Sequence, residues 1–323
     1  MPLFSFGNYS KPGPGVQKDE PQKSAPIRFF EIYGRKFTKL VQLNLLFFVA
    51  FLVAAVLAFL LYLSPTHFMM TLPSGDSVMT LDIWTLYVVP LPVILLAPFT
   101  AGLTTVTRNF VREEHAFVWY DFRQSVQKNW KAFLLNGILF YVVYVILSFA
   151  LIYYVNAAKE NPFFYVAFWF CFVLALLFLF AQYYVPIMLV SFDLTLRQVY
   201  RNAAVFILAG LFRNILITVI LIALIILFFG VIPVMPLTIL LFIVLAAVWA
   251  FSFVSYLINF IIYPVVDQYL FQPAKQRMEA EYDARADRSR SLKEEELPER
   301  DYVFVNGKMV KRSELKPGEA PEE

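Results

Sequence analysis

With one cysteine, Cys171, the chain can close no intramolecular disulfide and holds no paired-cysteine metal or redox motif. Cys171 stands in an apolar run, where a lone thiol reads as packing. With only two histidines, His67 and His115, a nucleophile has few bases to draw on, which argues against a conventional hydrolytic triad. No stretch matches GxxxxGK[ST], so there is no P-loop for ATP. Glu113, Glu114 and His115 offer metal-ligating atoms, but HExxH spacing is absent and adjacent residues on a helix point in different directions. They read as charges at a helix exit. No enzyme, cofactor or metal is expected. Charge is also scarce, at 16% of residues. The 27 basic and 24 acidic side chains leave a net +3, which gives no reason to invoke nucleic acid.

What the chain has is hydrocarbon. Of 323 residues 60% are apolar, 35 are Phe and 18 are Tyr, and the mean hydropathy is +0.65. Soluble domains carry roughly 45 to 50% apolar residues. Six runs free of Asp, Glu, Lys and Arg fall at about 40–63, 84–107, 132–155, 163–192, 215–232 and 237–266. Each can cross a hydrocarbon core, which takes about 20 residues. Pro90, Pro92 and Pro98 are expected to kink or break the second run, and Pro233, Pro236 and Gly230 to turn the chain between the fifth and sixth.

The basic residues set an orientation. All but Lys159 of the 27 lie before residue 40, in 108–131, in 193–214 or after 266. Lys and Arg are retained on the cytoplasmic side. The expectation is an all-α integral membrane protein with six transmembrane helices and both termini cytoplasmic. Residues 1–39, rich in Pro, Gly, Lys and Ser, read as a flexible cytoplasmic segment without the core of a cleavable signal. Residues 40–266 form the membrane domain, and 267–323 a charged tail. That tail holds a possible helix, a hairpin over 302–312 signalled by Asn306-Gly307, and a disordered end.

Two cytoplasmic amphipathic interfacial helices complete the expected fold. Trp119, Phe122, Val126, Trp130 and Phe133 recur at three- and four-residue steps, predicting a helix on the inner leaflet before a turn into the third span. Leu196, Val199, Ala203 and Phe206 repeat the pattern after the fourth span, with Arg197 and Arg201 on another face. "RQSVQKN" (123–129) and "RQVYRN" (197–202) suggest a weak internal repeat of the kind found in transporter folds.

The exit of the second span, with Thr100, Gly102, Arg108, Asp121, Phe122 and Asn129, resembles the YesL-like family of bacterial membrane proteins. So does the exit of the fourth, with Phe192, Thr195, Leu196, Asn202 and Ala203. The resemblance spans roughly residues 35–270, and the polar start, the 64–83 loop and the tail depart from it. It implies an association with carbohydrate uptake and, as possible partners, sugar ABC transporter components.

Two sets of candidate residues emerge. Arg108, Arg112, Asp121, Phe122, Asn129, Trp130, Asp193, Arg197, Arg201 and Asn202 could contact a partner or anionic lipid headgroups, which attract basic side chains without further function. Asn44, Asn136, Gln182 and Asn259, amides within the runs, make a candidate intramembrane polar layer toward the cytoplasmic ends of the spans. They read as interhelical hydrogen bonds in preference to a cavity open to the cytosol. No run contains an ionisable side chain of the kind ion-coupled carriers use. The functional expectation is therefore a non-catalytic accessory or scaffold of a membrane assembly; the alternative is a sugar or glycoside transporter or channel.

Overall fold

The structure, a computed structural model, describes residues 24–74, 77–231, 243–296, 302–305 and 308–311. The turn at 233–236, the start of the chain before 24, the Asn306-Gly307 pair and the tail end after 311 lie outside the described residues. The chain divides into two compact units, Met1–Pro264 and Val265–Glu323.

Among the described residues, five helices are long and apolar enough to cross a membrane, or six if a bent pair counts as one span. Helix α1 covers Ala25–Tyr62. The second crossing, Trp84–Val111, is composite: a π segment Trp84–Val88, a 3-10 segment Leu91–Leu96, and α2, Ala97–Val111. Helices α3, Val118–Ala157, and α4, Phe164–Ser191, follow. Helix α5, Leu196–Ala209, meets α6, Leu211–Val231, at a bend of 90°. A π segment Ala246–Ala250 leads into α7, Phe251–Val266.

The turn expected between an interfacial helix and the third span does not occur. Residues 118–157 form one helix of 40 residues. No proline interrupts it, and its lone mid-helix glycine, Gly137, costs only about 1 kcal/mol against alanine. The first apolar stripe also divides: Phe122 and Phe133 are buried, whereas Trp119 and Trp130 are exposed. In α5, Val199, Ala203 and Phe206 are all buried. Its start is fixed by a capping box in which Thr195 and Gln198 bond each other's backbone N–H.

Irregular backbone inside an apolar bundle must find its hydrogen bonds from side chains. Pro90 carries no N–H, so Leu86 O, four residues earlier, loses its helical donor, and the α-helical ladder breaks off around it. Tyr144 Oη donates to Leu86 O at 3.1 Å, and Tyr141 Oη donates to Tyr87 O. At the other π segment, Asn44 Nδ2 donates to Ala246 O and Ala247 O at 2.7 and 2.6 Å, while its Oδ1 accepts from Ser252 N at 2.8 Å. The irregular segments are thus tolerated because neighbouring helices supply donors.

One core cluster joins Ile32, Leu40, Leu43 and Phe47 of α1 to Val106 and Phe110 of α2, to Phe122, and to Tyr256 of α7. Gly102 lets α3 approach: a Cβ there would overlap the Phe122 ring. Ser125 pins the same contact, its Oγ donating to Ala101 O at 3.0 Å. Between α1 and the second crossing, strands β1, Met69–Ser74, and β2, Ser77–Asp82, pair antiparallel with Met70 opposite Leu81 and Leu72 opposite Met79. The hairpin base is tied by Ile83 N to Phe68 O, 2.8 Å, and Trp84 Nε1 to Leu61 O, 2.8 Å.

The second unit contains a π segment Asp267–Phe271, helix α8, Gln272–Glu296, and strands β3, Tyr302–Val305, and β4, Lys308–Lys311. Strands β3 and β4 pair antiparallel, Val305 opposite Lys308. Helix α8 is charged and holds a Lys275–Glu279 pair at 3.7 Å, one turn apart.

Candidate functional site

The amides do not share one hydrogen-bond network. Asn44 serves the π segment before α7, as described. Asn259 Nδ2 on α7 donates to Thr107 Oγ1 of α2 at 2.8 Å, and Thr107 lies 2.9 Å from Ser255 Oγ. Asn136 and Gln182, by contrast, are brought together, with a third member that sequence reasoning missed. Asn136 Nδ2 donates to Gln182 Oε1 at 3.2 Å, Gln182 Nε2 donates to Tyr200 Oη at 2.8 Å, and Tyr200 Oη donates to Asn136 Oδ1 at 2.7 Å. The ring closes on itself and ties α3, α4 and α5 together. Each member donates once and accepts once, so the three bonds polarise one another. Nothing in the sequence marks Tyr200, a lone phenol among basic residues of an amphipathic segment.

Asn136 and Gln182 also line a cavity of 560 Å³ between α1, the second crossing, α3, α4 and α7. Its walls are largely aromatic and aliphatic, including Phe47, Phe51, Phe140 and Phe251, and Pro90 and Pro186 border it. The other polar groups on the wall are already engaged. Thr100 Oγ1 donates to Ala97 O at 2.6 Å, and Tyr141 and Tyr144 serve main-chain carbonyls where the second crossing breaks. A second cavity, 220 Å³, shares Phe140 and Tyr144 with the first.

The candidate contact residues gather mainly at one end of the bundle, where α1 starts, α2 ends, α3 starts and α4 ends. Arg108 turns inward. Its Nη1 donates to Val190 O at 3.2 Å and Ser191 Oγ at 2.8 Å, placing a cation on the C-terminal carbonyls of α4. Arg112 pairs with Glu114 at 2.7 Å. Asp121 accepts from Phe117 N at 3.0 Å, closing the first turn of α3. Asn129 Nδ2 donates to Ser125 O at 3.1 Å, and Trp130 carries Lys131 Nζ 5.6 Å from its ring centroid. Asp193 is exposed, 3.9 Å from Lys128, and Arg197 and Arg201 are exposed on α5 beside half-buried Asn202.

The sequence did not reveal the tie between Glu113 and α1. Glu113 has φ 59°, an uncommon conformation for a side chain with a Cβ. It is the residue just past the C-cap of α2: Glu113 N donates to Phe110 O and Glu114 N to Asn109 O, satisfying two terminal carbonyls. Its carboxylate meets Arg35 at 2.5 Å and Arg28 at 3.3 Å. The Arg35 hydrogen bond, followed by the charges of Arg35 and Arg28, holds the Glu113 carboxyl below the ordinary glutamate range. Glu113, Glu114 and His115 therefore diverge, to α1, to Arg112 and to the Phe117 ring respectively. At the hairpin, Asp82 is likewise held below the usual carboxylate range, first by the Thr85 hydroxyl at 2.6 Å and then by His67, 2.8 Å away.

Comparison with curated proteins and with solved structures finds no match to the chain. Residues 77–151, from β2 through the second crossing and most of α3, match the family model described as "Protein of unknown function, DUF624", the family to which YesL-like proteins belong.

Proposed function

We propose that this is a non-catalytic, YesL-like, multi-pass protein of a bacterial cytoplasmic membrane, an accessory or scaffold of an assembly linked to carbohydrate uptake. In this reading both termini are cytoplasmic, and α5 lies along the inner leaflet, its bend from α6 carrying the chain into the membrane. The observation that carries the reading is the use to which interior polar groups are put. Asn44, Asn136, Gln182 and Asn259 bond other helices, and the wall tyrosines and threonine serve backbone carbonyls. A sugar presents many hydroxyls, and a site that binds it must offer partners for them. This wall offers few. The exposed groups that remain, Asp193, Arg197 and Arg201, sit where a partner subunit or anionic headgroups could meet them.

Purification in mild detergent tests the proposal: a sugar ABC transporter subunit should copurify, and recovery of the protein alone would overturn it. The 560 Å³ cavity between spans supports the rival reading, a small-molecule transporter. Uptake of sugars or glycosides by reconstituted vesicles would establish that reading, and no uptake across a broad panel would remove it.

A further inference from the structure

We propose that the 560 Å³ cavity binds a neutral amphiphile drawn from the bilayer: an alkyl or isoprenoid chain with an alcohol head. The chain lies against Phe47, Phe51, Phe140 and Phe251, and the head meets Asn136 and Gln182. The volume falls within the roughly 300 to 1,000 Å³ typical of small-molecule sites.

Donor counting selects the head. Each carboxamide has two N–H groups, and the ring spends one from Asn136 and one from Gln182. One N–H of each remains for an acceptor oxygen. Pro186, also on the wall, has no N–H to give the main-chain carbonyl of Gln182 four residues earlier. A hydroxyl can accept from the amides and donate to that carbonyl, which an ether or ketone cannot do.

Charge and polarity exclude the alternatives. Among the described residues no Asp, Glu, Lys, Arg or His lines the cavity, so a charged head would lose its hydration without a counter-ion. A polyol would leave most of its hydroxyls unpaired against phenylalanine. The lining residues belong to segments apolar enough to span a membrane, so the phase that supplies an occupant is hydrocarbon.

The test uses the full chain in phosphatidylcholine vesicles with a diazirine-bearing long-chain alcohol, the matched carboxylic acid as control, and peptide mapping of the adducts. The expected result is saturable labelling at Val93, Gly137 or Phe140, displaced by unlabelled hexadecanol and absent with the acid. Gln182→Leu should weaken apparent binding about tenfold, the scale of one lost hydrogen bond in an apolar site. Val93→Trp, which fills the cavity without touching the amide ring, should abolish the labelling. Signal that rises linearly with probe, resists hexadecanol or is matched by the acid would overturn the proposal as ordinary contact with surrounding lipid. Because displacement by hexadecanol is read on the unsubstituted protein, a variant that fails to fold does not remove the test.

Discussion

The Asn136–Gln182–Tyr200 ring makes a prediction in which coupling matters more than size. Tyr200→Phe removes two of the three bonds, and Gln182→Leu removes two, with the Gln182–Tyr200 bond common to both. Interhelical hydrogen bonds in membrane proteins average about 0.6 kcal/mol, with a maximum of about 1.7. Each single variant should therefore lose about 1.2 kcal/mol, and independence would put the double variant at about 2.4. Only three bonds exist, so the double variant should lose about 1.8, leaving a coupling of about 0.6 kcal/mol equal to the shared bond. Reversible unfolding by dodecyl sulfate in mixed micelles, followed by tryptophan fluorescence and far-UV circular dichroism, measures all four corners of the cycle. Strict additivity, or a Tyr200→Phe variant as stable as the parent, would refute the ring.

Three further substitutions probe other joints. Asn44→Leu strips the donors from Ala246 O and Ala247 O and the acceptor from Ser252 N, and should cost about 2 kcal/mol in the same assay, with α1 and α7 loosening together in hydrogen exchange. Gly102→Ala drives a Cβ into the Phe122 ring and should cost about 1 to 3 kcal/mol, most of it recovered by Phe122→Leu. Glu113 predicts a pH dependence. Its carboxyl is held below its unfolded value, so its stabilising share is complete above the ordinary glutamate range and fades as pH falls through the folded value. Glu113→Gln should flatten that acid loss, by no more than about 1 kcal/mol because both arginine pairs are half exposed. An unchanged acid profile in Glu113→Gln would show that the loss comes from other carboxylates.

The all-α class of the protein and most of its long apolar helices were legible in the residues because hydrocarbon imposes a length and an apolar composition that local sequence must satisfy. Leu196, Val199, Ala203 and Phe206 recorded one face of α5 in their spacing, since a single helix fixes which side chains share a side. The same reasoning placed a turn ahead of the third span, where the chain runs straight through from Val118 to Ala157. An apolar stripe says which face is greasy and says nothing of whether lipid or protein covers it, and Trp119 and Trp130 are exposed where Phe122 and Phe133 are buried.

The four amides show the remaining division. Composition identified them as helix glue, because a polar group in hydrocarbon must be paired. Which pairs form depends on approach distances between helices remote in the chain. Asn44 meets a carbonyl 202 positions away and Asn136 meets Tyr200 across 64. Likewise, Pro90 and Pro92 announced a broken span, but only the packed bundle supplied Tyr141 and Tyr144 to cover main-chain carbonyls where it breaks. The sequence by itself determined that polar groups would need partners and that the second crossing would break. The tertiary structure alone decided who those partners are, and thereby where the cavity opens, because a hydrogen bond is a local contact whose ends the chain can hold far apart.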